Sequence, residues 1–247
     1  MAAHADRVMH QVPLTKLDLE VPAALAPVDA AAVVSEASRL GVRSVCVAPG
    51  LANAVRAAVP RRCLVATSCS QVAGWPGNSL LLHAAQQLGG RIVDELSIPV
   101  DAGLLGDAAW VARPLRQVVA LCHAHGAFAN VVIDVEGVGA GLLRNVVRSL
   151  ARSGLDSVTL RACNGAVPAE LATAAVDEAA PCLAVRASEA AATPERIVCL
   201  LDLGASSASV TPEQLASLLS AAHTGAEPAP AQEAAGKHGG AAETCAA

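Results

Sequence analysis

The chain has 247 residues, 53% of them hydrophobic and 16% charged, with a net charge of −5. This length and composition support one large domain with a substantial core, and the negative charge excludes an electrostatic footprint for nucleic acid. Trp75, Trp110 and Phe128 are the whole aromatic complement, which removes base-stacking platforms and leaves the core to Ala, Val and Leu.

In chain order, a first strand is expected over 14–19, then a helix over 29–40 closed by Gly41. A strand at 44–48 precedes a helix at 52–59 stopped by Pro60, and a strand at 63–67 precedes a helix at 79–88 closed by Gly89. The fourth strand is expected over 91–96 and its helix over 108–125, where Pro114 argues for a kink or a late start. A strand at 130–135 leads to a helix at 142–153 closed by Gly154, and a strand at 157–161 to a helix at 168–178. The last two units pair a strand at 182–186 with a helix at 194–203 closed by Gly204, and a strand at 206–210 with a helix at 212–222. Thr193-Pro194 and Thr211-Pro212 place a capping hydroxyl before a proline whose missing N–H costs nothing there. Thr211 with Gln214 reads as a capping box.

The strands read as near-continuous apolar runs, as in a parallel sheet covered by helices. Eight alternating units imply an α/β fold, a single (β/α)8 TIM barrel over residues 1–223. A doubly wound open sheet is the alternative, although no GxGxxG follows the first strand and no Walker lysine exists. Residues 224–247, rich in Ala, Gly and Pro, read as a disordered tail.

No window reaches the length of a membrane span without a charge or turn former. The segment from Met1 to Pro13 has no apolar stretch of the kind a secretory signal needs. The eight cysteines form no CxxC pair or other metal spacing. These features imply a cytoplasmic protein with no membrane partner, no nucleic-acid partner, no metal and no cofactor. A small-molecule ligand and a homodimer are compatible with the same features.

Of the 17 basic residues only Lys16 and Lys237 are lysines. A compositional preference for Arg and Ala would remove surface lysines without functional meaning. It would not excuse the loss of a lysine that chemistry requires, because Schiff-base formation needs a deprotonated amine and a guanidinium stays protonated.

Several motifs resemble the deoxyribose-phosphate aldolases. Ser44-Val45-Cys46-Val47-Ala48-Pro49 is similar to that family's second strand, and Val72-Ala73-Gly74-Trp75-Pro76-Gly77-Asn78 to its V-x-G-F-P-x-G loop, one residue short. Gly89-Gly90-Arg91-Ile92-Val93-Asp94 resembles the strand carrying an I/V-D pair. Val131 to Glu136 resembles K-V-I-x-E, with Val132 where a lysine usually sits. Gly154-Leu155-Asp156-Ser157-Val158 resembles G-A-D-F-V, and Val185-Arg186-Ala187-Ser188 resembles V-K-A-S.

This resemblance implies a class I aldolase barrel with a Schiff-base lysine on the sixth strand, a second lysine on the seventh and an assisting aspartate on the fourth. The aspartate carries over to Asp94. Thr159 or Arg161 occupies the Schiff-base position, depending on the direction of counting, and Arg186 replaces the second lysine. The phosphate-binding glycines are replaced at Glu189 and Ser209, where side chains block close approach and a carboxylate would repel phosphate. The expected catalytic set is therefore Asp94, Glu136, Thr159, Arg161 and Arg186, with Asp134 beside Glu136 on one strand face. The expected ligand-binding set is Cys46, Ser188, Glu189 and Ser209. Cys163 is the cysteine expected near the mouth, while His123 and His125 read as solvated. Two functions follow: a binding or regulatory paralog for a sugar phosphate or carboxylate, without Schiff-base activity, or a carbon–carbon lyase that works by acid–base chemistry without lysine.

Overall fold

The computed structural model describes residues 12–68, 84–90, 92–100, 108–179, 181–190 and 192–224, with the backbone alone at 108–114 and 221–224. The V-x-G-F-P-like loop and the expected tail from Gly225 onward lie outside these residues.

Eight parallel strands close a barrel in chain order. They are β1 (Leu17–Glu20), β2 (Ser44–Val47), β3 (Leu64–Ser68), β4 (Glu95–Val100), β5 (Phe128–Asp134), β6 (Ser157–Ala162), β7 (Ala184–Glu189) and β8 (Ser207–Val210). The barrel is closed where Leu17 and Asp18 pair with Ala208 and Ser209. The helices are α1 (Pro27–Leu40), α2 (Ala52–Ala58), α3 (84–88), α4 (Ala108–Ala124), α5 (Ala140–Ala151), α6 (Ala169–Ala179), α7 (Pro194–Asp202) and α8 (Pro212–Thr224). This is the expected (β/α)8 TIM barrel.

Local chemistry explains the boundaries. Gly41 ends α1 at φ 96° and accepts the left-handed geometry that side chains resist. Thr193 Oγ1 accepts from the Arg196 N–H at the start of α7. Thr211 and Gln214 exchange side-chain bonds with each other's backbone N–H groups, forming the expected box. Residues 14–16 form a 3-10 turn rather than strand, and α4 runs through Pro114.

The fourth strand begins at Glu95, not at residue 91. Asp94 therefore lies ahead of the strand, at the amino-terminal face of the barrel. Pro99 lies within β4, but the pairing with β3 covers only Glu95 to Ser97, so its missing N–H takes nothing from that ladder.

The strands alternate rather than being apolar throughout. Leu17, Leu19, Val45, Val47, Leu96, Ile98, Val131, Ile133, Val158, Leu160, Val185 and Val210 belong to one buried apolar cluster. That cluster also contains Val34 of α1, Leu143 and Val147 of α5, Ile197 of α7 and Leu215 of α8. The core is thus the layer between barrel and helices. The other face, toward the barrel axis, carries charged and hydroxyl side chains alongside Cys46, Ala66 and Val132.

Candidate functional site

A cavity of about 160 Å³ runs along this axis. Among its lining residues, β1 contributes Asp18 and Glu20, β2 Ser44 and Cys46, and β4 Glu95 and Ser97. Asn130 and Val132 come from β5, Thr159 and Arg161 from β6, Arg186 from β7 and Ser209 from β8. Period-two alternation explains the set, because residues two apart share a face.

Two of the lining carboxylates, Glu95 and Asp18, are held by arginines. Arg186 donates Nη1 and Nη2 to the two oxygens of Glu95 at 2.6 and 2.7 Å, with the side chains 8% and 2% exposed. Burial opposes the charge of Arg186, but the Glu95 hydrogen bonds and charge outweigh it and hold the guanidinium above its ordinary pKa. Asp18 accepts from Arg43 Nε, Ser44 Oγ and Ser207 Oγ at 2.8, 2.6 and 2.6 Å. A neutral network adjoins them: Asn130 Oδ1 accepts from Ser157 and Thr159, and Asn130 Nδ2 donates to Ser97.

The register orders the candidate catalytic positions. Val132 pairs with Thr159, and Thr159 with Arg186, so these three side chains share one level across β5, β6 and β7. Arg161 lies one layer nearer the mouth, level with Asp134 and Ser188. Both Thr159 and Arg161 line the cavity. Among the described residues no lysine does, since Lys16 is exposed in the turn before β1, on the opposite face of the barrel.

Other expected residues stand elsewhere. Asp94 does not line the cavity. Its carboxylate is held by Arg56 Nη1 at 2.6 Å and the Val65 N–H at 2.9 Å, an anchor outside the barrel axis. The inward residues of β4 near the cavity are instead Glu95 and Ser97. Glu189 also points away from the axis. It is buried and accepts from the Val167 N–H at 2.8 Å and from Arg196 Nε at 3.0 Å, so it does not present its charge to the cavity. Glu136 lies beyond the end of β5, where it is exposed and accepts from the backbone and side chain of Asn164.

Ser188 faces inward and donates to Glu20 Oε1 at 2.8 Å. Cys46 lines the cavity, and burial, then the nearby Glu20 and Glu95, push its thiol far above the ordinary range. Cys163 at the mouth is exposed and donates to Asp134 at 3.5 Å. Desolvation, with Asp134 and Glu136 opposing the pull of Arg161, raises its pKa too, contrary to a nucleophile's needs. His123 contacts Asp156 at the surface.

Glu20, Asp18 and Asn130 escape the sequence reading, although the alternation of polar and apolar residues in Leu17-Asp18-Leu19-Glu20 carried the signal.

No protein-family model and no curated protein sequence matches the chain. Solved structures do. An aldolase designated QR15 superposes with a TM-score of 0.74 at 15% identity, covering 87% of this chain and 98% of that one. The tetrameric deoxyribose phosphate aldolase from Aeropyrum pernix gives 0.73 at 18% identity, covering 89% and 97%. A putative deoxyribose-phosphate aldolase from Coccidioides immitis gives 0.71 at 15%, covering 85% and 94%. The chain has the fold of the deoxyribose-phosphate aldolases. At these identities the likeness establishes architecture, and function rests on the site.

Among the described residues no helix is long and apolar enough to cross a membrane.

Proposed function

We propose that this aldolase-fold barrel performs no Schiff-base chemistry and holds a small polar ligand on its axis, as a binding or regulatory protein. The observation that carries the reading is the layer formed by Val132, Thr159 and Arg186. The resemblance assigns lysines to Val132, to Thr159 or Arg161, and to Arg186, yet the residues present are an alkyl group, a hydroxyl bonded to Asn130 or a guanidinium, and a guanidinium locked to Glu95. None forms an imine.

The loops after β7 and β8, where barrel enzymes commonly hold phosphate, support the same reading. The Ala190 N–H donates to Ala162 O, the Thr211 N–H to Gln214, and the Arg196 and Gln214 N–H groups to threonine hydroxyls. Pro194 and Pro212, first in α7 and α8, contribute no N–H at all. Four of the backbone donors in these loops are thus already engaged.

A second reading, a carbon–carbon lyase working by acid–base chemistry, is favoured by Glu20, a carboxylate in the cavity held, among the described residues, by a serine hydroxyl alone. Deoxyribose 5-phosphate separates the two. The binding reading expects no acetaldehyde release and no covalent adduct under borohydride. Release without an adduct would establish the lyase, and an adduct within the barrel would overturn both. Self-association is part of the proposal, by likeness to the tetrameric neighbour, and light scattering measures it.

A further inference from the structure

The charges of the cavity do not all cancel. Asp18 is satisfied by three donors and Glu95 by both arms of Arg186. Glu20 has one partner, the Ser188 hydroxyl on Oε1, and no partner on Oε2 among the described residues. The Arg161 side chain makes no hydrogen bond among them. Its Nε is buried without a partner, and its Nη2 stands 3.9 Å from Asp134. That is a loose contact, since Asp134 already accepts from the Glu136 N–H and the Cys163 thiol.

Glu20 and Arg161 both line the cavity, each beside Ser188. Ser188 pairs with Arg161 on one side and with Ser209 on the other, and its hydroxyl reaches Glu20 across β8. The two charges therefore flank Ser188 from opposite sides, both facing the cavity, yet form no ion pair with each other. Opposite charges in a small cavity partly shielded from water attract more strongly than in bulk water. Held apart, they leave a gap with an anionic and a cationic end.

We infer that this gap binds a short zwitterion, an amino acid whose ammonium meets Glu20 and whose carboxylate meets Arg161. This deepens the binding function proposed above and rests on it. A guanidinium takes a carboxylate in bidentate fashion, while the free oxygen of Glu20 accepts from an ammonium. Cys46, whose thiol stays neutral, does not compete for it. Ser209 and Ser188 supply hydroxyls between the two ends. A sugar phosphate dianion would satisfy Arg161 alone and meet Glu20 with like charge. A simple hydroxy acid leaves Glu20 unneutralised, and an amino alcohol leaves Arg161 so.

Calorimetry on the full chain tests the inference with glycine, β-alanine and 4-aminobutanoate, each beside the hydroxy acid and the amino alcohol of the same length. At least one zwitterion should bind at least about tenfold more tightly than both its analogues, the effect of one charge-assisted bond. Glu20→Gln should erase the preference over the hydroxy acid, and Arg161→Gln the preference over the amino alcohol. Failure of all three zwitterions to bind below about 10 mM would overturn the inference. So would equal affinity for zwitterion and analogues, which needs no variant to fold. A borohydride adduct would remove the underlying non-imine reading, whereas absent zwitterion binding without an adduct removes only this inference.

Discussion

The two faces of the same eight strands are built from opposite materials. Toward the helices stand Leu17, Ile98, Val131, Leu160 and Val185, all buried in one apolar cluster. Toward the axis stand carboxylates, guanidiniums, hydroxyls and an amide, with Cys46, Ala66 and Val132 among them. Barrels of this class ordinarily fill the axis with layers of branched aliphatic side chains. Here the outer layer carries the hydrophobic stabilisation, and the axis is organised by hydrogen bonds whose groups were taken out of water to make them. Such a network stabilises little by itself but penalises any broken partner heavily. The contrast teaches that the axis is organised by specific partners and the outer layer by packing.

The largest expected disturbance comes from breaking the axial pair. Arg186→Met leaves Glu95 buried and alone, and should cost about 3–5 kcal/mol in urea denaturation. Adding Glu95→Leu should recover most of that loss, because two apolar groups replace two charges. If the double variant were no more stable than the single one, the pair would not be the reason for the loss.

Next comes the outer face. Leu160 is fully buried between barrel and helices, and Leu160→Ala should cost about 3 kcal/mol through lost burial and a cavity. A Thr159→Val change, one residue away but facing the axis, should cost less and leave Asn130 with one donor fewer. Equal losses at the two sites would dissolve the distinction between the faces.

The smallest effect is alkaline. The Cys46 thiol is held protonated in the folded barrel by burial and by Glu20 and Glu95, so its folded pKa lies above its unfolded one. The unfolded chain then releases its proton first, and stability should fall as pH rises above about 9, the unfolded thiol's range. Cys46→Ala should flatten that slope in urea midpoints measured across pH 8 to 10.5 without changing them at pH 7. An unchanged slope would mean that the thiol is not shielded as described.

Much of the architecture is legible in the sequence because it rests on local signals. Gly41 and Gly204 mark helix ends, the Thr-Pro pairs mark helix starts, and β2, β5, β6 and β8 fall within two residues of their expected places. The fourth strand is not legible. Asp94, Glu95 and Pro99 look like strand breakers, and the group that makes Glu95 tolerable is Arg186, 91 residues away in sequence. Locating the strand too early carried Asp94 to the wrong end of the barrel. Glu189 illustrates the converse: its position on β7 was readable, but its outward direction depends on Arg196 and the Val167 N–H, which only the fold brings near. Motif order places Thr159, Arg161 and Arg186 on strands, and all three line the cavity. Glu20 escapes because a single glutamate at a strand end has no local mark that it faces the axis, without a charged partner among the described residues.

The claim that the axis holds no imine-forming amine is tested most directly by borohydride trapping. The protein would be incubated with deoxyribose 5-phosphate, reduced, and mapped by peptide mass spectrometry. No adduct is expected anywhere between residues 12 and 224, including the exposed Lys16 at a stoichiometry above that of a denatured control. A stoichiometric adduct on any residue facing the barrel axis would contradict the account.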